Sequence, residues 1–432
     1  LLVLQLPLSA QSPAPDTLIT DLIFKIDSVT ITGNHITDDD IILGELTFKP
    51  GEMIDSLILA YNKERIYSLQ LFTKVSLDVA KQDGYNRLYI NVSEGWYIYP
   101  LPYLYMHEKD INKLSFGAEL KWFNFRGRNE NIYMRAGFGY DPSYVLNYYI
   151  PYLSRKEEIS FQSSLEYVTS KNRSIQADAL FGDEFNYKTF KYLLGLGKRV
   201  NIFNKIDVYA GFSYLEAPRY VKGITASSSN IDRFGFAGAR YTYDKRDLRQ
   251  FPTDGNFFSA EYIYKGIGNS EISHHELTLD YRNYFNITGS LYAKYRLSTN
   301  QVFGDNIPYY DYAFLGTTEK IRGHFFSKRE GKSIYTTSLE AYYIVFKDWH
   351  LEFDLPLIPK SLTSYRIGLA FQVFADAGIA KNPEDSFAWD QFSKGYGFGM
   401  TVLSLPYNVA RIEVAFNERR VAQLILDFGI MF

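Results

Sequence analysis

Few residues in this 432-residue chain are spaced for covalent chemistry. There is no cysteine, which excludes disulfide staples, thiol catalysis and thiolate-held metals or clusters. The His-His-Glu at 274–276 puts His274 and His275 on opposite faces of an extended segment, so the two cannot chelate one metal. The glycine-spaced "GYGFG" (395–399) and "GLG" (195–197) lie in strand-like runs and not at a strand-to-helix turn, which argues against a phosphate cradle. No serine, histidine and acid set suggests a hydrolase. What remains is Arg322, in "LGTTEKIRGHFF" (315–326), within a run from 303 to 331 that reads as neither strand nor helix. In a compact domain a run of that length is a functional loop, a disordered one or a misread element. The chemistry open to Arg322 is electrostatic: its planar fork holds carboxylates through directional, charge-assisted hydrogen bonds.

The elements that must position such a loop come from composition and pattern. Hydrophobic residues make 46% of the chain and charged residues 22%, as in many soluble proteins, but 17% is aromatic, with 37 Tyr, 33 Phe and 4 Trp. That aromatic load suits a surface that meets bilayer interfaces. A net charge of −3 leaves no basic footprint, so nucleic acid is not an indicated partner. The opening "LLVLQLPLSAQ" reads as the end of a signal peptide, with residues 1–21 as remnant and linker, and implies export; a buried strand is the alternative. Beyond it no run approaches the roughly 18–20 apolar residues of a membrane helix, so a membrane protein of this sequence spans as a barrel.

From 96 to 432 the text alternates with period two. In "GSLYAKYRLS", Leu291, Ala293, Tyr295 and Leu297 share one face and Lys294 and Arg296 the other; "FFSAEYIYK" and "NVARIEVAFN" repeat the split. Apolar and aromatic outward with charge inward is the pattern of a transmembrane barrel. Sixteen strands are expected near 96–107, 112–123, 130–140, 143–152, 157–169, 187–199, 205–216, 231–243, 254–266, 272–285, 289–302, 332–345, 364–378, 394–405, 408–417 and 421–432. "SIQADALF" (174–181) is open as a further strand, and 14 or 18 strands are alternatives. With the first strand entered from the periplasm, the long connections 170–186, 217–230, 303–331 and 379–393 fall on the outer side. The connection near 346–363 is longer than its side predicts.

Residues 22–95 read as β-α-α-β-β. Thr37 is the expected N-cap of the first helix and Asp55 of the second, with Leu59, Ile66 and Leu69 on one stripe. This order, with "ITGN", "KPGEMID", "LFTKVSLDV" and "NVSEG", resembles the polypeptide-transport-associated (POTRA) domain. The resemblance implies a periplasmic unit that engages client chains by strand pairing along a sheet edge, where N–H and C=O groups are unpaired.

With that resemblance in place, "IRGHF" is similar to the (V/I)RG(F/Y) signature of the outer-membrane assembly barrel superfamily, which includes the Bam and Tam assembly factors and two-partner secretion translocators. "DKRDLRQFPTDG" (244–255) is similar to the family's turn, and "SLEAYY" and "FQVFADAG" match its acidic strands. The resemblance implies that Ile321, Arg322, Gly323 and Phe325 fold into the lumen and that Glu340 and Asp376 receive Arg322. Alternation independently turns both acids inward. His324 departs from the usual continuation of the motif.

The last segment, "VAQLILDFGIMF", ends on Phe432 in the manner of an outer-membrane insertion signal. The first strand carries Pro100 and Pro102, which remove two ladder donors on one side. The expected seam, a weak line able to open sideways, therefore runs past Pro100, Pro102, Phe428, Gly429 and Phe432; the alternative is a plain strand-entry segment. The expected architecture is mainly β: a 16-stranded antiparallel transmembrane barrel after one POTRA-like unit, with boundaries at 22–95 and 96–432. The expected activity is insertion of unfolded outer-membrane proteins or translocation of secreted polypeptides, without cofactor, metal or covalent catalysis. Expected partners are those client chains, outer-membrane lipid, and periplasmic or lipoprotein accessory subunits. A two-partner translocator or a passive channel or receptor is the alternative.

Overall fold

The computed structural model describes residues 23–82, 84–106, 113–316, 319–324, 327–406 and 408–430. Residues 1–21, Phe325 and Phe432, all singled out above, lie outside the described residues.

The N-terminal unit contains β1 (Phe24–Lys25), β2 (Ser28–Thr32), α1 (Asp39–Leu43), β3 (Met53–Ile54), α2 (Ser56–Tyr67), β4 (Phe72–Gln82) and β5 (Tyr85–Glu94). β5 is central in its sheet, parallel to β2 and antiparallel to β4, while β1 and β3 form a two-residue clip. Asp55 caps α2, accepting from the Ile58 amide at 2.8 Å. Thr37 does not cap α1: Asp38 takes that position, and the Thr37 hydroxyl donates to Glu94 at 2.6 Å while accepting from Asn124 at 2.8 Å. A capping oxygen already committed to a tertiary carboxylate is unavailable to its own helix. α2 buries Asn62, Glu64 and Arg65 besides Ile66 and Tyr67. A helix buried on its polar side as well is covered on two faces, here by its own sheet and by the barrel.

The barrel strands are β6 (Ile98–Met106), β7 (Leu114–Phe125), β8 (Glu130–Gly139), β9 (Ser143–Ser154), β10 (Ile159–Lys171), β11 (Asn186–Asn201), β12 (Asn204–Glu216), β13 (Ile231–Asp244), β14 (Gly255–Ile267), β15 (Ser273–Thr288) and β16 (Leu291–Asp305). The long loop then carries a small hairpin, β17 (Ala313–Leu315) with β18 (Arg329–Gly331). The wall resumes with β19 (Ser333–Glu352), β20 (Ser364–Lys381), β21 (Ser393–Leu405), β22 (Asn408–Asn417) and β23 (Ala422–Ile430). The result is one 16-stranded sheet of antiparallel neighbours, from β6 to β23. "SIQADALF" is not a strand: it holds α3 (Ile175–Phe181), capped by Ser174, whose hydroxyl accepts from Ala177 at 3.0 Å. A serine cap outweighs a short alternating run.

Alternation sorts the side chains as period two requires. Leu165, Leu194, Val208, Leu297, Leu339, Phe371, Val373 and Leu424 stand exposed on the outer face, whereas Lys294, Arg296, Glu340, Asp376, Arg411 and Glu413 line a lumen cavity of about 540 Å³. The long connection expected near 346–363 shrinks to 353–363, with α4 (Lys360–Thr363) inside it, because β19 extends 20 residues through two register irregularities.

That extension meets the N-terminal unit at the base of the barrel. Arg366 forks onto Glu64 of α2 with both bonds at 2.7 Å, and its guanidinium lies 4.5 Å from the centre of the Tyr67 ring. Arg366 is 1% exposed. The 244–255 turn runs under α2: Ser68 accepts from the Arg249 amide at 3.0 Å, Gln250 donates to the Tyr67 carbonyl at 3.3 Å, and Tyr342 donates to the Pro252 carbonyl at 2.6 Å. Leu248 and Phe251 join Ile66, Tyr67 and Leu71 in one apolar core with Ile344, Leu403 and Leu405 of the barrel.

Candidate functional site: a lumen anchor and a strand seam

The structure brings Arg322, Glu340 and Asp376 together. Arg322 Nε and Nη2 donate to the two oxygens of Asp376 at 2.7 and 2.8 Å, and Nη1 donates to Glu340 at 2.9 Å. The Arg322 amide adds a bond to Asp376 at 3.2 Å. β19 supplies Glu340, β20 supplies Asp376, and the inward parity of each strand aims the carboxylates at one point.

Three further partners complete the site. Nη1 also donates to Glu413 of β22 at 2.9 Å, Nη2 to the Ser338 hydroxyl at 3.2 Å, and the guanidinium sits 3.5 Å from the centre of the Phe374 ring. Gln372 in turn donates to Glu413 at 3.0 Å and accepts from Thr401 at 2.7 Å, so the third carboxylate is itself oriented. Lys294 lies 3.3 Å from Glu340. All of these residues share the inward parity of their strands, which is the signal in the sequence that points to them.

Backbone approach is as tight as the ion pairing. Gly323 adopts φ +90°, and a Cβ there would lie 2.7 Å from the Phe416 carbonyl oxygen. On the wall, a Cβ at Gly395 would lie 1.6 Å from the Arg322 carbonyl oxygen, a separation no side chain tolerates. Gly395, in the "GYGFG" run, is thus an opening for the loop. Ile321 is buried with Ala313, Leu315 and Ile334, and His324 reaches Glu418 at 2.6 Å. Every N–H of the guanidinium is engaged by a carboxylate or hydroxyl, so what this constellation does is retain the loop by multidentate ion pairing.

The seam residues occupy the two ends of the sheet. Pro100 and Pro102 pair with Leu120 and Ala118 across β6–β7, and Phe428 and Gly429 with Ala410 and Val409 across β22–β23. Among the described residues no pairing joins β6 to β23. The Phe123 amide donates to the Tyr97 carbonyl at 2.8 Å, so odd-numbered residues at the start of the first wall strand face β7. Even-numbered ones, Pro100 and Pro102 included, therefore turn their backbone polar groups to the free edge, as proline in an edge strand requires.

A family model described as an Omp85 superfamily domain matches residues 124–425, and a POTRA model described as a surface antigen variable number repeat matches residues 24–95. BamA from Haemophilus ducreyi lacking POTRA domains 1–3 superposes with a TM-score of 0.54 at 14% identity, over 94% of this chain and 83% of that one. CdiB from Escherichia coli gives 0.52 at 12% identity, over 93% and 74%. At these identities the likeness is one of fold. No curated protein matches the sequence significantly. The first family model covers more than half of the residues, and the chain is a member of the Omp85 superfamily of outer-membrane β-barrels.

Proposed function

We propose that this protein inserts client β-barrels into the outer membrane of a Gram-negative bacterium, or passes polypeptide across it, through the seam between β6 and β23. Superfamily membership supports outer-membrane insertion or translocation as the class of activity. The observation that carries the mechanism is the seam: two strand edges with no mutual pairing among the described residues, one of them depleted of donors by Pro100 and Pro102. Unpaired edges template incoming strands, so the driving energy comes from folding of the client and needs no nucleotide. In this reading residues 22–95 form the periplasmic POTRA unit, 96–432 the barrel, and the Arg322 anchor keeps the long loop in the lumen while the wall opens. The partners are unfolded outer-membrane or secreted chains, outer-membrane lipid and any accessory subunits that deliver clients.

Depletion followed by quantitative outer-membrane proteomics tests the class: broad loss of barrels indicates an insertase, loss of one secreted protein a translocator, and an unchanged proteome refutes both. Disulfides engineered across β6 and β23 test the seam. If locking them leaves activity intact, the wall does not open there.

A further inference from the structure

The 306–331 loop has a second attachment, away from Arg322. Asp311 accepts from Lys265 Nζ at 2.6 Å and lies 2.7 Å from His274 Nε2, with His274 fully buried. Lys265 is also 3.1 Å from Glu276. Beside them the Tyr310 hydroxyl donates to Asp232 at 2.7 Å, and Asp232, itself fully buried, accepts from the amides of Ala226 and Ser227 at 2.8 Å. The Tyr309 amide reaches the Gly223 carbonyl at 3.2 Å, and Asn306 donates to the Glu271 carbonyl at 2.9 Å. These contacts hold the first half of the loop to β13, β14 and β15. The Arg322 cluster holds the second half to β19, β20 and β22.

Between and beyond the two clusters the loop ties into β16 and into other connections at the mouth opposite the N-terminal unit. Arg296 forks onto Glu319 with both bonds at 2.8 Å, Glu330 accepts from the Gln176 amide at 2.8 Å, and Arg329 donates to the Gln391 carbonyl at 3.1 Å. Asp311 and Tyr310 border a lumen cavity of about 610 Å³, and Arg322 and Glu319 border the one of about 540 Å³.

We infer that residues 306–316 and 319–324 form a strap fixed to the barrel wall at two independent points, and that Lys265, His274 and Asp311 are positioning residues for its first half. His274, excluded as one of a metal pair, then has a role of its own: it turns inward to the strap while His275 stacks against Phe303 on the outer face. A buried carboxylate between a lysine and an imidazole is a directional clamp, because among the described residues of the loop Asp311 alone meets both Lys265 and His274. The inference is independent of whether the protein inserts or translocates its clients.

The test uses the full chain, folded and reconstituted, followed by hydrogen exchange of the strap. Asp311→Asn is expected to speed exchange in 306–316 by about tenfold or more, the scale of one lost charge-assisted hydrogen bond. Exchange in 319–324 stays unchanged, and single-channel conductance rises. Arg322→Ala does the reverse to the two halves. Combining Lys265→Met with Asp311→Asn loosens the strap no more than Asp311→Asn alone, since both remove one interaction. Unchanged exchange in Asp311→Asn, equal loosening of both halves, or additive effects in the double variant would each overturn the inference. Should Asp311→Asn yield no heat-modifiable folded barrel, Tyr310→Phe, which deletes one hydroxyl, carries the same exchange test.

Discussion

Arg322 in the lumen and Arg366 at the base both fork onto carboxylates, one beside a polar cavity and the other within an apolar core. Arg366 meets Glu64 with 1% of its side chain exposed, under an aromatic ring and within an apolar core. Arg322 meets Asp376, Glu340 and Glu413 with 13% of its side chain and 4–6% of theirs exposed, on the edge of a polar lumen cavity of about 540 Å³, roomy enough to hold water. At the base Glu64 is the bidentate partner of Arg366, and half-exposed Asp348 stands 3.0 Å away as a second carboxylate. In the lumen three acids share one guanidinium, and Lys294, Ser338 and Gln372 already serve those acids. The difference separates two tasks: the clasp at the base fixes one unit against another, whereas the lumen anchor fixes a loop that stays close to solvent.

Variants put that contrast at risk, beginning with the largest effect. Arg366→Ala strands Glu64 in the core and is expected to cost about 3–5 kcal/mol, as broken buried pairs do. Denaturant unfolding and protease release of the N-terminal unit measure it; a loss below about 1 kcal/mol would class the clasp with surface pairs. Arg322→Ala is expected to cost less, about 1–3 kcal/mol, and to free the loop for proteolysis while leaving the N-terminal unit docked. A larger loss than for Arg366→Ala would reverse the assignment of apolar core and polar cavity. Gly395→Ala keeps every charge but occupies the space of the Arg322 carbonyl, so it releases the loop at a cost of about 1–3 kcal/mol. If loop proteolysis stays at the wild-type rate, the close approach is unimportant.

The clasp also carries a pH signature. Burial opposes ionisation of Glu64, but Arg366 more than compensates and holds its carboxyl below the ordinary 4.5. A depressed carboxyl contributes its stability above the unfolded pKa and loses it as pH falls through the folded value. The stability gap between wild type and Glu64→Gln is therefore flat at neutral pH and closes only below 4.5; a gap that closes on raising the pH contradicts the pairing. The smallest effect belongs to Arg155, which meets Asp38 and Asp40 on the surface of the same interface. Arg155→Ala is expected to cost under about 1 kcal/mol and to vanish in high salt.

The sixteen strands were readable because each has one face toward lipid and one toward a charged lumen, so alternation marks them without help from neighbours. β19 is the exception: its last seven residues, 346–352, carry no lipid-facing stripe and are strand because they pair with the start of β20 through two register irregularities. Within the lumen site, the inward parity of Glu340 and Asp376 was legible, and family resemblance named them as receivers of Arg322. Glu413 had the same parity, yet nothing local tells where a long loop lands. The clasp was less accessible still, since Glu64 and Arg366 lie 302 residues apart and a glutamate on a helix with Lys63 and Arg65 beside it reads as a solvated face. Asp311 was hidden for the same reason, in a stretch with no period to orient it.

The parity of β6 and β23 gives the two lips of the seam unequal capacity. The Asn417 amide donates to the Val421 carbonyl at 3.2 Å, so Ala422, Leu424, Leu426, Phe428 and Ile430 turn their backbone groups outward, each with a donor and an acceptor. On the opposing lip the corresponding places are Ile98, Pro100, Pro102, Leu104 and Met106, and the two prolines offer acceptors alone. A visiting strand zipped along β23 completes its ladder, while one along β6 forgoes two bonds, roughly 1–3 kcal/mol at the usual net worth of a backbone bond. In the proposed mechanism β23 is thus the full template and β6 the lip that holds a visiting strand less tightly.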